Sequence, residues 1–263
     1  MSNISKKNTF ALITGGSSGI GFAYAKEWAR KGYNILIVSN REDLNDQAQK
    51  DLQALYPDSQ ILTLYQDLTL PDAAKTVFDY CEAENLEVEA LVNNAGMYYF
   101  GAVVEKPMEL SHKMAMLHCT TPMDLCTLFG KQMKDCGHGY ILNASSITAF
   151  MSVPAIAVYE ATKSFLHKFS KGIHYELSHY GVKVCCVCPG AVDTDLYNLP
   201  VKTRKWLRAI GIMLSPDQIA KRGVRATMNG RMVKIPGPIN YFFLFMLFLV
   251  PKFVMHLVKR KFV

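Results

Sequence analysis

Several features are scarce in this chain, and each scarcity narrows what it can be. A membrane-spanning helix needs about 20 apolar residues, but the run Ile239 to Val250 (INYFFLFMLFLV) has twelve before Pro251 and Lys252 interrupt it. The start, MSNISKKNTF, has no apolar h-region, so no secretory signal is expected. Charged residues make up only 19% of the chain, and no long basic run occurs in its first two-thirds. The net charge of +7 therefore does not read as a nucleic-acid surface; it suits a phosphate-rich cofactor or an anionic membrane equally well. No repeat, low-complexity tract or linker divides the 263 residues, so one large α/β domain is expected. Cysteines in metal-binding array are also missing. Of seven, Cys185, Cys186 and Cys188 crowd one predicted strand, VKVCCVC. Side chains on a strand alternate faces and cannot converge on zinc. No metal site is expected, and buried reduced thiols point to a reducing, cytoplasmic compartment.

What is present is a regular alternation. Strand-like runs occur at 10–14, 34–39, 60–65, 88–93, 139–145 and 182–188, with helical patterns between them. Leu44, Ala48, Leu52 and Leu55, for example, form one apolar stripe. Such alternation predicts a Rossmann-type, doubly wound parallel sheet with helices on both faces and right-handed crossovers. Ligands of such sheets bind beyond the carboxyl ends of the strands. Gly15, Asp67, Asn93, Ser146 and Pro189 each fall at or just after a predicted strand end.

Two constellations carry chemistry. Phe10 to Thr14 runs directly into Gly15-Gly16-Ser17-Ser18-Gly19-Ile20-Gly21, and a helical pattern follows to about Arg30. Glycines let the backbone approach a pyrophosphate, and the first helical N–H groups bind its charge. At the first strand–helix junction this predicts a dinucleotide. The second is Tyr159 and Lys163, four residues apart in VYEATKSF, with Ser146 thirteen residues upstream of the tyrosine. Positions i and i+4 share a helix face. A free phenol has a pKa of about 10, and a neighbouring cation lowers it. A serine hydroxyl could then hold a carbonyl oxygen while the tyrosine gives it a proton.

Thr14-Gly15-x-x-x-Gly19-Ile20-Gly21, Asn93-Asn94-Ala95-Gly96, Ser146, Tyr159-x-x-x-Lys163 and Pro189-Gly190 follow one another in an order and spacing that resembles the short-chain dehydrogenase/reductase family. The likeness covers residues 8 to 195; residues 196 to 263 carry no comparable motif. The resemblance implies that Tyr159 is the general acid of reduction and base of oxidation. Lys163 would lower its pKa and bond the nicotinamide ribose, and Ser146, rather than adjacent Ser145, would orient the substrate oxygen. It further implies that Gly15, Ser17, Ser18, Gly19, Ile20 and Gly21 cradle the phosphates. Asp67 would meet the adenine. Asn93, Ala95 and Gly96 would lie along the cofactor, as would Pro189, Gly190 and Val192, and Thr194 would bind the carboxamide. Many relatives carry an asparagine where ungapped counting places His118. A histidine there could sustain a water relay or be a packed helix residue. At the end of the second strand, where NAD-preferring relatives carry aspartate, the chain has Ser39, followed by Asn40 and Arg41. Arg41 could pair with a 2′-phosphate, which favours NADP(H) over NAD(H).

The domain is expected to occupy 1–238, with a C-terminal extension over 239–263. Residues 202–229 read as helical, with Ser215-Pro216-Asp217 as a helix start. Beyond Pro251, Phe253, Val254, Leu257 and Val258 fall on one helical face and Lys252, His256, Lys259 and Arg260 on the other. Peripheral membrane association and packing as a lid or interface stay equally open, and a tilted hairpin or span is a further alternative. Relatives pair as dimers or tetramers through helices corresponding to 108–135 and 158–180. The expected activity is reduction of an apolar ketone or aldehyde, such as an oxosteroid or long-chain 3-oxo lipid. An NAD-dependent alcohol dehydrogenase and a non-catalytic dinucleotide sensor are the alternatives.

Overall fold

The computed structural model describes residues 8–192 and 213–249. Seven strands, β1 (Thr9–Thr14), β2 (Asn34–Ser39), β3 (Ile61–Tyr65), β4 (Glu87–Asn93), β5 (Gly139–Ala144), β6 (Val182–Val187) and β7 (Val233–Lys234), form one sheet in the order β3-β2-β1-β4-β5-β6-β7. Every pairing is parallel. The helices are α1 (Gly19–Ala29), α2 (Glu42–Leu55), α3 (Ala73–Ala83), α4 (Met108–Ala115), α5 (Thr121–Cys136), α6 (Ala157–Ser178), α7 (Pro216–Met228) and α8 (Pro238–Leu249).

Both faces of the sheet are covered, so its central strands read as continuous apolar runs. Alternate residues still serve different layers. From β1, Ala11 and Ile13 join Trp28, Leu52 and Val224 on one side, whereas Phe10 and Leu12 join Val77, Phe129 and Met133 on the other. Trp28 is fully buried and meets Tyr33 edge-on, with ring centroids 4.9 Å apart. The cysteines of β6 obey the same alternation. Cys185 belongs to the first layer, while Cys186 and Cys188 lie on the opposite face with Ile235.

The six expected strands are present within a residue or so. The seventh, β7, spans two residues, too few to leave a periodic signature. The expected continuous helix over 108–135 is instead divided: α4 ends at Ala115, a π-helical turn runs from Met116 to Thr120, and α5 follows. The extra residue in such a turn re-aims the side chains around it, here including His118. α7 starts where Ser215 accepts from the Gln218 N–H while the Gln218 side chain accepts from the Ser215 N–H, both at 3.2 Å. The expected helical positions 202–212 lie outside the described residues. Among the described residues no helix is long and apolar enough to cross a membrane.

Truncating Trp28 to alanine should cost about 3–5 kcal/mol through lost burial and a cavity. Ser215→Ala should cost only about 1 kcal/mol through the lost cap. Urea unfolding midpoints of the two variants measure both.

Candidate active site

The glycine-rich turn is held open by backbone geometry that only glycine adopts freely. Gly15 and Gly19 have φ of +63° and +54°. A Cβ on Gly21 would collide with the carbonyl oxygen of Gly15. The turn is pinned from the neighbouring strand: Asn94 Nδ2 donates to Thr14 O and Gly15 O at 3.2 and 3.3 Å. Thr14 Oγ1 accepts from the N–H groups of Asn94 and Ala95 at 2.9 and 3.0 Å. At the start of α1, Ser18 makes no side-chain cap, and the first turn carries no acidic residue. Its N–H groups therefore face the cleft without a competing anion, which suits a pyrophosphate.

This turn forms one wall of a cleft of about 480 Å3. The cleft brings together Gly15, Ser17, Ser18, Gly19, Ile20, Gly21, Arg41, Ala95, Gly96, Tyr159 and Lys163, all expected from sequence. Beside it, a smaller cavity of about 110 Å3 is lined by Asn40 and Asp67 and shares Gly15, Ser39, Ala95 and Gly96. Asp67 Oδ1 accepts from both the N–H and hydroxyl of Thr69, at 2.9 and 2.8 Å. At the end of β2, Ser39 Oγ lies 3.0 Å from Ser17 Oγ and accepts from the Arg41 N–H at 3.2 Å. The Arg41 side chain is largely exposed and sits 3.5 Å from Asp43, a surface pair of small worth.

Not every residue expected at the cofactor lines this cleft. Asn93 does not line the cleft; its Nδ2 donates to Asn143 Oδ1 at 2.8 Å in the core, and Asn94 takes the lining position. Alternation at the strand end turns the first asparagine inward and the second outward. Pro189 and Gly190 close the end of β6, Pro189 O accepting from the Ile147 N–H at 2.9 Å and Gly190 packing on Asn240. Val192 is buried against Leu214 rather than facing the cleft. Thr194 lies outside the described residues.

On α6, Tyr159 and Lys163 stand one turn apart, with Nζ 5.7 Å from the phenol ring centre. Lys163 is 5% exposed and donates to Ala144 O at 3.0 Å. Burial pushes its pKa down to about 8. Tyr98 meets the Tyr159 ring edge-on, with centroids 5.1 Å apart. The two serines divide their work. Ser145 Oγ gives its proton to Lys163 O at 2.8 Å, whereas Ser146 Oγ accepts from the Thr148 N–H at 3.2 Å. Its own proton has no acceptor among the described residues, so Ser146 is the serine with a donor free for a ligand.

His118 is nearly fully buried, and both ring nitrogens are engaged by protein groups. The Met97 N–H donates to Nε2 at 3.0 Å, so Nε2 accepts and Nδ1 carries the hydrogen. Nδ1 then donates to Thr162 Oγ1 at 2.9 Å, and the Thr162 hydroxyl donates to Tyr159 O at 2.7 Å. Burial, with the Lys163 charge adding to it, holds the imidazole well below its ordinary pKa. Neither nitrogen is left for a relaying water. His118 therefore braces the backbone of Met97 and Tyr159, as a packed helix residue would, the second of the two readings its position left open. Tyr98, Thr162 and Asn94 were not anticipated; only Asn94 had a signal, its adjacency to Asn93.

Comparison with known proteins decides the class. The model for short chain dehydrogenase matches residues 9–204. The chain belongs to the short-chain dehydrogenase family. It is an oxidoreductase of that family, whose members bind NAD(P). It is 32% identical over 218 residues to a 3alpha-hydroxysteroid dehydrogenase of Mediterraneibacter gnavus, covering 81% of this chain and 87% of that one. It is 32% identical over 197 residues to a very-long-chain 3-oxoacyl-CoA reductase of Pyrenophora tritici-repentis, covering 72% of this chain but only 57% of the reductase. A short-chain dehydrogenase from Sphingobium yanoikuyae, solved in complex with NADPH, superposes with a TM-score of 0.77 at 28% identity, covering 87% of each chain. The residues present fit a dinucleotide, since the open glycine turn and the uncapped start of α1 form a cradle whose shape a Cβ on Gly21 would disrupt.

Gly21→Ala must displace the turn at a cost of about 1–3 kcal/mol. NADPH affinity, read by fluorescence titration, should fall roughly tenfold or more. Lys163 sets a pH signature in the ligand-free protein. Its folded pKa of about 8 lies below the ordinary 10.5, so between these values unfolding takes up a proton and stability rises with pH. Below about pH 8 this group contributes no slope. Lys163→Met should flatten that rise in denaturation midpoints measured against pH.

Proposed function

We propose that this short-chain dehydrogenase is an NADP(H)-dependent reductase of ketones or aldehydes on large apolar molecules, such as an oxosteroid or a long-chain 3-oxo lipid. The observation that carries the reading is the Tyr159–Lys163 pair lining the same cleft as the glycine turn. The bound nucleotide supplies or accepts the hydride. The chain's own part is proton transfer and positioning. The phenol of Tyr159 gives its proton to the developing alkoxide, a step worth about 10²–10⁴-fold in such catalysis. The Lys163 ammonium, tethered to Ala144 O, favours the phenolate left behind. With a pKa of about 8 it remains mostly charged at neutral pH. Ser146 offers its hydroxyl hydrogen to the substrate oxygen.

NADP(H) is favoured by the end of β2. No carboxylate stands at Ser39 to repel a 2′-phosphate, the hydroxyls of Ser17 and Ser39 converge there, and the weakly held Arg41 is within reach of the same cleft. An apolar substrate is favoured by exposed apolar side chains that follow Tyr98 and Ser146 in the chain. The chain that carries Tyr98 continues into exposed Phe100, Val103 and Val104, and Phe150 is exposed four residues beyond Ser146. The names of the steroid and 3-oxoacyl relatives point the same way. Residues 239–263 are proposed to rest on a membrane surface, where such substrates partition.

NADPH oxidation measured against small aldehydes, 3-oxoacyl chains and oxosteroids tests the reading. Turnover should be fastest with the last two classes. Tyr159→Phe should lower kcat by about 10²–10⁴-fold while leaving NADPH affinity nearly unchanged. Equal or tighter binding of NADH would overturn the reading of Ser39 and Arg41.

A further inference from the structure

A second cleft, of about 540 Å3, lies beside the edge strand β7 and shares no described lining residue with the first. Arg222 and Arg225, three residues apart on α7, line it together with Arg231 and Lys234. Among the described residues no carboxylate lines it and none of these four cations forms an ion pair. The acidic residue at the start of α7, Asp217, is already paired with Lys26 at 2.6 Å. A wall of this cleft is the first turn of α8, through Pro238 and Tyr241.

α8 has two faces. Asn240 is buried against Gly190, and Leu244 packs on the Cys186–Cys188 cluster, as Ile147 does. Tyr241, Phe242 and Phe245 point the other way and are 54%, 58% and 61% exposed. The twelve residues of this helix include no charged side chain, and at about 1.5 Å per residue they are too short to span a bilayer. An exposed aromatic face continuous, through Tyr241, with a cationic cleft matches the two layers of a membrane surface: rings at the headgroup level and cations against lipid phosphates. A second copy docked here by a two-fold axis would set four cations against four.

We infer that the Arg222–Arg225–Arg231–Lys234 cleft and the Tyr241–Phe242–Phe245 face of α8 together form a docking surface for a bilayer containing anionic phospholipid. This rests on, and sharpens, the membrane reading proposed for residues 239–263. The surface is tied to the site already described, because α8 packs on the turn that directly follows Ser146.

The test is co-sedimentation of the full chain with vesicles of phosphatidylcholine alone and of phosphatidylcholine mixed with phosphatidylglycerol. Binding should be at least about tenfold tighter to the mixed vesicles and should weaken with added salt. With each cation near the surface worth about 1 kcal/mol, the triple variant Arg222→Gln, Arg225→Gln, Arg231→Gln should lose roughly a hundredfold. The matching triple Arg→Lys variant should keep the binding, and Phe242→Ser with Phe245→Ser should weaken it on both vesicle types. Circular dichroism and NADPH titration check that each variant is folded. Equal binding to both vesicle types, unaffected by the triple Gln change, overturns the cleft's role and leaves the broader membrane reading standing. Absence of binding to either vesicle overturns both. Complete displacement from mixed vesicles by inorganic pyrophosphate at matched ionic strength would overturn the lipid assignment in favour of a soluble anion.

Discussion

A positive charge buried at the end of β5 is the constraint around which the candidate site is arranged. Lys163 is almost out of reach of water, and an isolated ammonium in such a place would shed its proton. Its bond to Ala144 O keeps one N–H satisfied, and Ser145, by donating to Lys163 O, fastens the same turn of α6 to the strand. These contacts fix where the lysine stands, and hence where the phenol one turn before it stands. The nucleotide cleft opens directly onto this pair. If α6 slid along the sheet, the ammonium would lose its carbonyl and the tyrosine its place beside the glycine-lined wall.

His118 is absorbed into the packing through both of its ring nitrogens. A neutral imidazole offers one donor and one acceptor, and here it uses both to bridge Met97 and Thr162. Because Thr162 in turn donates to Tyr159 O, the bridge holds α6 and the loop after β4 in register. The π-helical turn at Met116–Thr120 delivers the ring to that gap, and Gly96 leaves room for it: a Cβ there would lie 3.1 Å from His118 Nε2.

Much of this was legible in the amino-acid order, for identifiable reasons. Parallel strands buried on both faces leave unbroken apolar runs, so β1 through β6 could be placed nearly to the residue. The glycine turn was legible because Gly15, Gly19 and Gly21 answer to backbone geometry and close approach, requirements that are local. What escaped depends on distant partners. Whether Asn93 or Asn94 faces the cleft is decided by where the pleat of β4 ends. Whether His118 relays a proton or braces a backbone is decided by Thr162 and Met97, which lie far from it in sequence. β7 exists only because β6 is there to pair with it.

The strand order has a consequence for how the chain is made. β1 is internal to the sheet, yet at first only one of its edges is covered, by β2, which β3 extends, from a contiguous stretch ending at Tyr65. Its other edge waits for β4, where Thr14 Oγ1 finally bonds Val92 O. During synthesis the glycine turn therefore emerges with its supporting strand open on one side, and Asn94 arrives later to pin it. Until then an apolar strand with unpaired N–H and C=O groups is exposed to any neighbouring chain. The half that holds the nucleotide is assembled early but stays adhesive, and the half that holds Tyr159 and Lys163 is the last of the catalytic parts to leave the ribosome.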